Sequence, residues 1–393
     1  MRLTRETLPA AFKAASEFQA SGDLAAAAGR WRDIVTAAPD LAEGWRNFAD
    51  VLTRLDRFAE AENAYRKAAS LRPDAQWALW GLAGFLQKTG RWAEAEPLFA
   101  KAVAVAPASP HLNLAYSHVL LGLGDFARGW PLYESRVGLA GQGAEPPPLA
   151  SEWQGEAVAG KRVLVWPEQG FGDQIQFARY VLALRDRDAE VTLACPPELQ
   201  ALFATLPLKV VTGDAALKGE PPDWWSLALS TPGRLGVALA DIRGEAYLTA
   251  PADRRAKWRG EVPAGSVGVA WRGRGSHPND SHRSLPSAAS LEPLREAGVN
   301  LVDLTEPRGD FADLAAVVEQ LDLVITVDTA LGHLAGALGK PCWLLLSWFR
   351  QDWRWFQDRE DSPWYAGHRL FRQSKPGDWT SVLHRVAKAL AER

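Results

Sequence analysis

Along the first third of the chain, small and apolar positions recur with a step of 34 residues. Pro39, Pro73 and Pro107 keep that step, as do Ala27, Ala61 and Ala95, with Gly129 next in the series. Trp31, Tyr65, Phe99 and Tyr133 share it. So do Ala15, Ala49, Ala83 and Ser117, and Phe18, Leu52, Leu86 and Leu120. A period of this length predicts a repeated helix-turn-helix unit. Small residues let two helices cross closely, a large aromatic fills the gap beside them, and proline ends the second helix. The turns read SGDLAAA, LDRFAEA, TGRWAEA and LGDFARG. One unit cannot bury its apolar face alone, so copies at about 8–41, 42–75, 76–109 and 110–137 are expected to stack into a superhelix.

Residues 138–160 break the period. Gly and Pro dominate there, which predicts a linker over 138–160 with Trp153 pinning it to a neighbour. Beyond it the pattern changes to short apolar runs separated by helix-like segments. KRVLVWP (161–167), AEVTLAC (189–195), KVV (209–211) and WWSLALS (224–230) form one series of strands. SVGVAW (266–271), LVDLT (301–305), LDLVIT (321–326) and KPCWLLLS (340–347) form a second. Alternating strand and helix predicts parallel sheets covered by helices. The expectation is an α plus α/β chain: repeats over 1–137, then two Rossmann-like halves at 161–260 and 261–393. Ligands of such sheets sit outside the carboxyl ends of the strands.

Composition narrows the function classes. Over 393 residues the net charge is −3, so no general basic surplus points to nucleic acid. Cys195 and Cys342 are too few and too far apart for a disulfide framework or a zinc cluster, and are expected to be small buried residues. The first residues lack the apolar core of a secretory signal, and no apolar run is long enough to span a membrane, so a cytoplasmic protein is expected. The unusual count is Trp at 18, against Phe at 14 and Tyr at 6.

Four loops could carry chemistry. Glu168-Gln169-Gly170-Phe171-Gly172-Asp173 follows the first strand, where Gly170 and Gly172 permit close backbone approach to a ligand. Asp173 is either a helix cap or a carboxylate that accepts a proton at the cleft. Arg272, Arg274, His277 and Arg283 surround glycines after the first strand of the second series, which suits a phosphate or is a solvated loop. In ITVDTALGHLAGALGKP, Asp328 and Thr329 turn the chain into a helix whose N-terminus is an anion site, with His333 in its first turn. The alternative is Asp328 as cap and His333 as packed core. The stretch Trp348 to Trp355, with Trp364 and Tyr365, could stack a nucleobase or sugar ring, or pack a C-terminal segment. Asp328 and His333 are spaced i, i+5, and no HExxH pattern occurs, so no metal is expected.

Taken together, EQGFGDQIQFARY, the Trp-Arg-Gly…Asn-Asp…Arg-Ser loop, LDLVITVDTALGHLAGALGKP and DWRW…DSPWY…LFRQ resemble tetratricopeptide-fused proteins of the heptosyltransferase type, glycosyltransferase family 9. The resemblance covers nearly the whole chain. It implies a GT-B arrangement of the two halves, the first one reduced. It implies an inverting, metal-independent transferase with no cofactor, using a nucleotide-activated sugar. On this resemblance Asp173 is the base, with Glu168 next in line. The donor would meet Gln169, Gly170, Gly172, Arg272, His277, Arg283, Asp328, Thr329, Gly332, His333, Trp353 and Trp355. The lysine usual in heptosyltransferases is missing from the arginine loop. The acceptor would be a hydroxyl of a protein or peptide held by the repeats, flagellin being one candidate. Two other readings stay open. One is a non-catalytic adaptor with a degenerate GT-B domain. The other is a transferase of the lipopolysaccharide core. The sequence also leaves a homo-oligomer open.

Overall fold

The computed structural model describes residues 4, 6–149, 151–306 and 308–393. The chain forms two compact units, Met1–Leu123 and Gly124–Arg393.

The first unit is a stack of antiparallel helix pairs. It runs α1 (Leu8–Ser21), α2 (Leu24–Ala37), α3 (Ala42–Arg54), α4 (Phe58–Leu71), α5 (Gln76–Lys88), α6 (Trp92–Val105) and α7 (Pro110–Gly122). The 34-residue positions are its core. Ala15, Ala49, Ala83 and Ser117 are wholly buried, and Trp31, Tyr65 and Phe99 fill the crossings of α2, α4 and α6. The turn between paired helices depends on one left-handed residue, again at the 34-residue step. Gly22, Asp56, Gly90 and Gly124 have φ of 84°, 56°, 73° and 82°. Glycine adopts that conformation without a Cβ penalty, and aspartate is among the few others that tolerate it.

The second unit opens with α8 (Phe126–Tyr133), the second helix of the fourth copy. The expected repeat region of 1–137 is therefore divided between the two units. The reason is the aromatic face of α8. Phe126 and Trp130 meet the rings of Trp353 and, for Phe126, Trp364, and Trp130 Nε1 donates to the Val237 carbonyl at 2.9 Å. The linker is tied down in turn. Trp153 is completely buried, its amide donates to the Trp225 carbonyl at 2.7 Å, and Glu152 bridges Trp225.

Two parallel sheets follow. The first holds β1 (Arg162–Trp166), β2 (Glu190–Cys195), β3 (Lys209–Thr212) and β4 (Trp224–Leu227), in the order β3-β2-β1-β4. Helix α9 (Phe171–Arg185) joins β1 to β2, and α10 (Pro197–Phe203) follows β2. Helix α11 (Ala252–Trp258) then lies against α12 (Phe311–Val318), where Lys257 and the Trp258 indole both reach Asp313, at 2.9 and 2.7 Å. Residues 252–258, expected in the first half, thus pack on the second.

The second sheet holds β5 (Ser266–Ala270), β6 (Asn300–Asp303), β7 (Leu323–Val327), β8 (Cys342–Leu346) and β9 (His368–Arg372), in the order β6-β5-β7-β8-β9. Helix α13 (Ala330–Ala337) joins β7 to β8, and α14 (Trp379–Ala391) closes the chain. Strands β7 and β8 are buried along their whole length, which is why they read as unbroken apolar runs. Edge strand β9, HRLFR, alternates with charge and was not expected from the sequence. Cys195 and Cys342 are both buried and unpaired with each other. No helix among the described residues is long and apolar enough to cross a membrane.

Candidate functional site

The strand carboxyl ends of both sheets open on one cleft of about 1190 Å³. It is lined by the loops after β1, β5, β6, β7 and β8. Ten of the fourteen residues given base or donor roles line it: Gln169, Gly170, Gly172, Asp173, Arg272, His277, Arg283, Asp328, Thr329 and His333. Glu168, Gly332, Trp353 and Trp355 do not.

Strand β1 delivers the first wall. Gln169 takes a left-handed backbone, φ 58°, which turns the chain sharply into α9. Its amide donates to the Gly143 carbonyl at 3.0 Å, so the linker helps hold the turn. Asp173 lies in the first turn of α9, and both sequence readings of it meet in one side chain. Oδ2 accepts the Gly170 amide at 3.1 Å, as a cap does. Oδ1 accepts from Arg354 Nη2 at 2.7 Å. A quarter of the side chain stays accessible at the cleft. Burial raises the proton affinity of its carboxylate, Arg354 opposes that, and Asp352 adds to it.

Gly172 shows why a glycine is needed here. A Cβ on it would stand 2.8 Å from His333 Cδ2 and 3.3 Å from Ala330 Cα. The start of α9 therefore lies directly against the start of α13. Phe171 and Phe311 meet edge to face at 5.1 Å beside this contact, and the Arg274 guanidinium sits 5.2 Å over the Phe171 ring.

The second wall carries the positive charge. Thr329, extended at φ −142°, precedes α13, and Thr329, Ala330 and Leu331 line the cleft. A helix start of this kind offers unpaired amides and the positive end of the dipole to an anion. Arg283 braces it, donating through Nη1 to the Asp328 carbonyl at 2.9 Å while Nε meets Asp280. Arg272 sits at the rim, paired with Glu306. Arg308 and Arg350 complete the basic lining.

Six of the singled-out residues have partners or burial that the sequence did not show. Glu168 is completely enclosed, bound by Arg136 Nε and Nη2 at 2.9 and 2.8 Å and by the Leu229 amide at 2.7 Å. It is a structural ion, out of reach of a substrate. Trp353 lies among Phe126, Trp130, Tyr133 and Trp364, and Trp355 lies between His333 and His368. Their faces are already used, so neither can stack a base. Gly332 faces β8, where a Cβ would meet Leu344 at 3.0 Å, so it is a packing glycine. His333 is held by Tyr365 OH at 3.0 Å, and burial, with Arg354 next, pushes its pKa down to about 3. It is neutral and adds no charge to a phosphate site. His277 is likewise pushed down, mainly by burial.

Three side chains matter that the sequence reading did not single out. Arg354 and Asp352 face Asp173, and Arg136 neutralises Glu168. A signal for the first two was present in QDWRW: charges alternating with tryptophans must either leave the core or pair within it.

A tetratricopeptide repeat family model matches residues 52–117, and that of glycosyltransferase family 9 (heptosyltransferase) matches residues 285–345. The chain carries tetratricopeptide repeats and a glycosyltransferase family 9 domain. The family 9 match spans the second sheet from before β6 into β8, including Asp328, Thr329 and His333. Asp173 and Arg354 lie outside it. Protein FlbA of Caulobacter vibrioides is 26% identical over 291 residues, 61% of this chain and 48% of that protein. The chain thus spans about half the length of the curated relative it matches. A MamA structure from Desulfovibrio magneticus RS-1 covers 34% of this chain and 75% of its own, at 16% identity and TM-score 0.32. YrrB, a TPR protein with an unusual peptide-binding site, covers 31% and 62%, at 15% identity and TM-score 0.29.

Within the family 9 domain, Asp328 has a pH signature. Burial, then the nearby Asp352, push its carboxyl up to about 7, against the pull of Arg283. The folded protein then holds this proton more tightly than the unfolded chain, where a carboxyl titrates at about 3.9. Stability from this group is full below that value and is lost as pH rises toward 7. Asp328→Asn should remove this part of the decline between pH 4.5 and 7.5 in urea-unfolding midpoints. An unchanged slope would reassign it.

Proposed function

We propose that the protein is an inverting, metal-independent glycosyltransferase. It moves a sugar from a nucleotide-activated donor to a hydroxyl of a protein acceptor recruited by the repeats, in the cytoplasm where such donors are made. Flagellin is the candidate acceptor we would test first. The observation that carries this reading is the arrangement across the cleft: the Asp173 carboxylate on one wall, the start of α13 with Arg283 on the other. One wall suits a proton acceptor, and the other a phosphate leaving group.

In this reading the donor phosphates lie at Thr329–Leu331, with Arg283 beneath and Arg272 at the rim. Asp173 takes the proton of an acceptor serine or threonine hydroxyl. The oxygen forms its bond to the anomeric carbon from the face opposite the leaving group. The bond from that carbon to the phosphate oxygen breaks, and its electron pair leaves with the nucleotide. Fixed amides and arginines stabilise that developing charge without reorganising. His333 contributes through shape and a neutral ring.

Calorimetric titration with UDP, ADP, GDP and CMP tests the donor side. One nucleotide is expected to bind, and Arg283→Ala is expected to weaken it by about tenfold, one charge-assisted contact. Binding of none would favour the adaptor reading.

A further inference from the structure

Every guanidinium nitrogen of Arg354 has a hydrogen-bond partner. Its side chain is 5% accessible. Nε donates to Gln176 Oε1 at 2.6 Å, Nη1 to both Asp352 oxygens at 3.1 Å, and Nη2 to Asp173 Oδ1 at 2.7 Å. The guanidinium lies over the Trp353 ring at 4.6 Å and the Phe177 ring at 5.4 Å. Asp173 and Gln176 are one turn apart on α9, in the first half. Arg354 and Asp352 belong to the loop after β8, in the second half.

A planar fork with two carboxylates and an amide as partners has one geometry. The Trp353 and Phe177 rings lie close beside it. We propose that Arg354 is the positioning residue for the base: a guanidinium of the second half fixes the direction and charge of the Asp173 carboxylate of the first, so the base is set only when the halves are docked. This rests on Asp173 being the base. It gives the aromatic loop a purpose beyond packing, since Trp353 lies against the clamp. Arg354 also opposes the burial that raises the proton affinity of this carboxylate. The groups that face Asp173 are Arg354 and Asp352 from this loop, Tyr133 from α8 and His277 from the loop after β5. Arg354 is the cation in direct contact with it.

The first test needs no substrate. In protein labelled with [4-13C]aspartate, the carboxyl resonance absent from Asp173→Asn identifies Asp173. In Arg354→Gln its titration midpoint should rise by about one unit or more, the effect of losing an adjacent opposite charge. An unshifted midpoint would overturn the clamp. The second test uses nucleotide release from the sugar nucleotide whose base calorimetry selects. Arg354→Gln should lower kcat by about tenfold or more, leave KM for the donor within about threefold, and move the acid limb upward. In the Asp173→Asn background the same change should cost almost nothing further, because both act through one group. Additive losses would mean that Arg354 serves the fold alone. Arg354→Lys keeps the charge without the fork, so its midpoint should stay near wild type while its rate falls; a wild-type rate would overturn the positioning role. Full transfer by Asp173→Asn would remove the base itself. An inactive Asp173→Asn with a normal Arg354→Gln would remove the clamp alone.

Discussion

Asp173→Asn is expected to lower kcat by about 10²–10⁴, the range lost when a general base is removed. KM for the donor should barely change, because the donor phosphates are assigned to the opposite wall of the cleft. Asparagine keeps the volume and one acceptor oxygen, so it can satisfy either the Gly170 amide or Arg354, but not both as the carboxylate does. Arg354 keeps Asp352 and Gln176 in the variant, so the loop should stay folded. The check is the initial rate of nucleotide release, beside the unfolding midpoint of the same preparation. A normal rate would end the base assignment. Glu168 could not inherit the role, since both its oxygens are held by Arg136 and it has no accessible surface. Burial raises the proton affinity of Asp173, so the acid limb of the rate profile should lie above the ordinary carboxylate range and vanish in the variant.

How much of this was legible in the sequence depended on the distance over which each feature is specified. The repeats were, because a helix pair is local and its marks recur every 34 residues. Even the left-handed turn position keeps the step, at Gly22, Asp56, Gly90 and Gly124. The strands were too, since a strand buried on both faces is an unbroken apolar run, as β7 and β8 are. The loops after β1, β5 and β7 were read as the site because glycines and charge follow directly on those runs. What could not be read was the state of each charge. Asp173 and Arg354 are 181 positions apart, and Arg136 and Glu168 are 32 apart. No local pattern says which pairs meet. The same holds for the tryptophans. Trp353 and Trp355 sit beside the cleft in sequence terms, but α8 and α13 cover their faces. His333 lines the cleft as a neutral ring, which no local pattern announces, since burial is a property of the whole fold.

The largest expected loss of stability follows from that longer-range layer. Arg136→Ala should destabilise the second unit by about 3–5 kcal/mol, the usual result of breaking a buried ion pair from one side. Both side chains have zero accessible surface. Arg136 also donates to Ser230 Oγ at 2.7 Å and to the Tyr133 carbonyl at 3.1 Å, so its loss leaves several polar groups without a partner in a dry site. Glu168 would keep the Leu229 amide and no cation in contact. Burial already raises its proton affinity, and Arg136 is the main opposing influence. Without Arg136 the carboxyl should hold its proton more tightly still. The variant's deficit should therefore be larger at pH 8 than at pH 5, because ionising Glu168 there has no compensation. Arg136→Met with Glu168→Met removes both charges at similar volume and should recover part of the loss. Urea unfolding at the two pH values measures all of this, and a deficit below about 1 kcal/mol at both would show the pair to be dispensable. The position of the pair gives the result a functional edge. Glu168 lies two residues beyond β1, in the turn that leads through Gln169 and Gly170 to Asp173 on α9, so the ion that holds this turn also sets where the base begins.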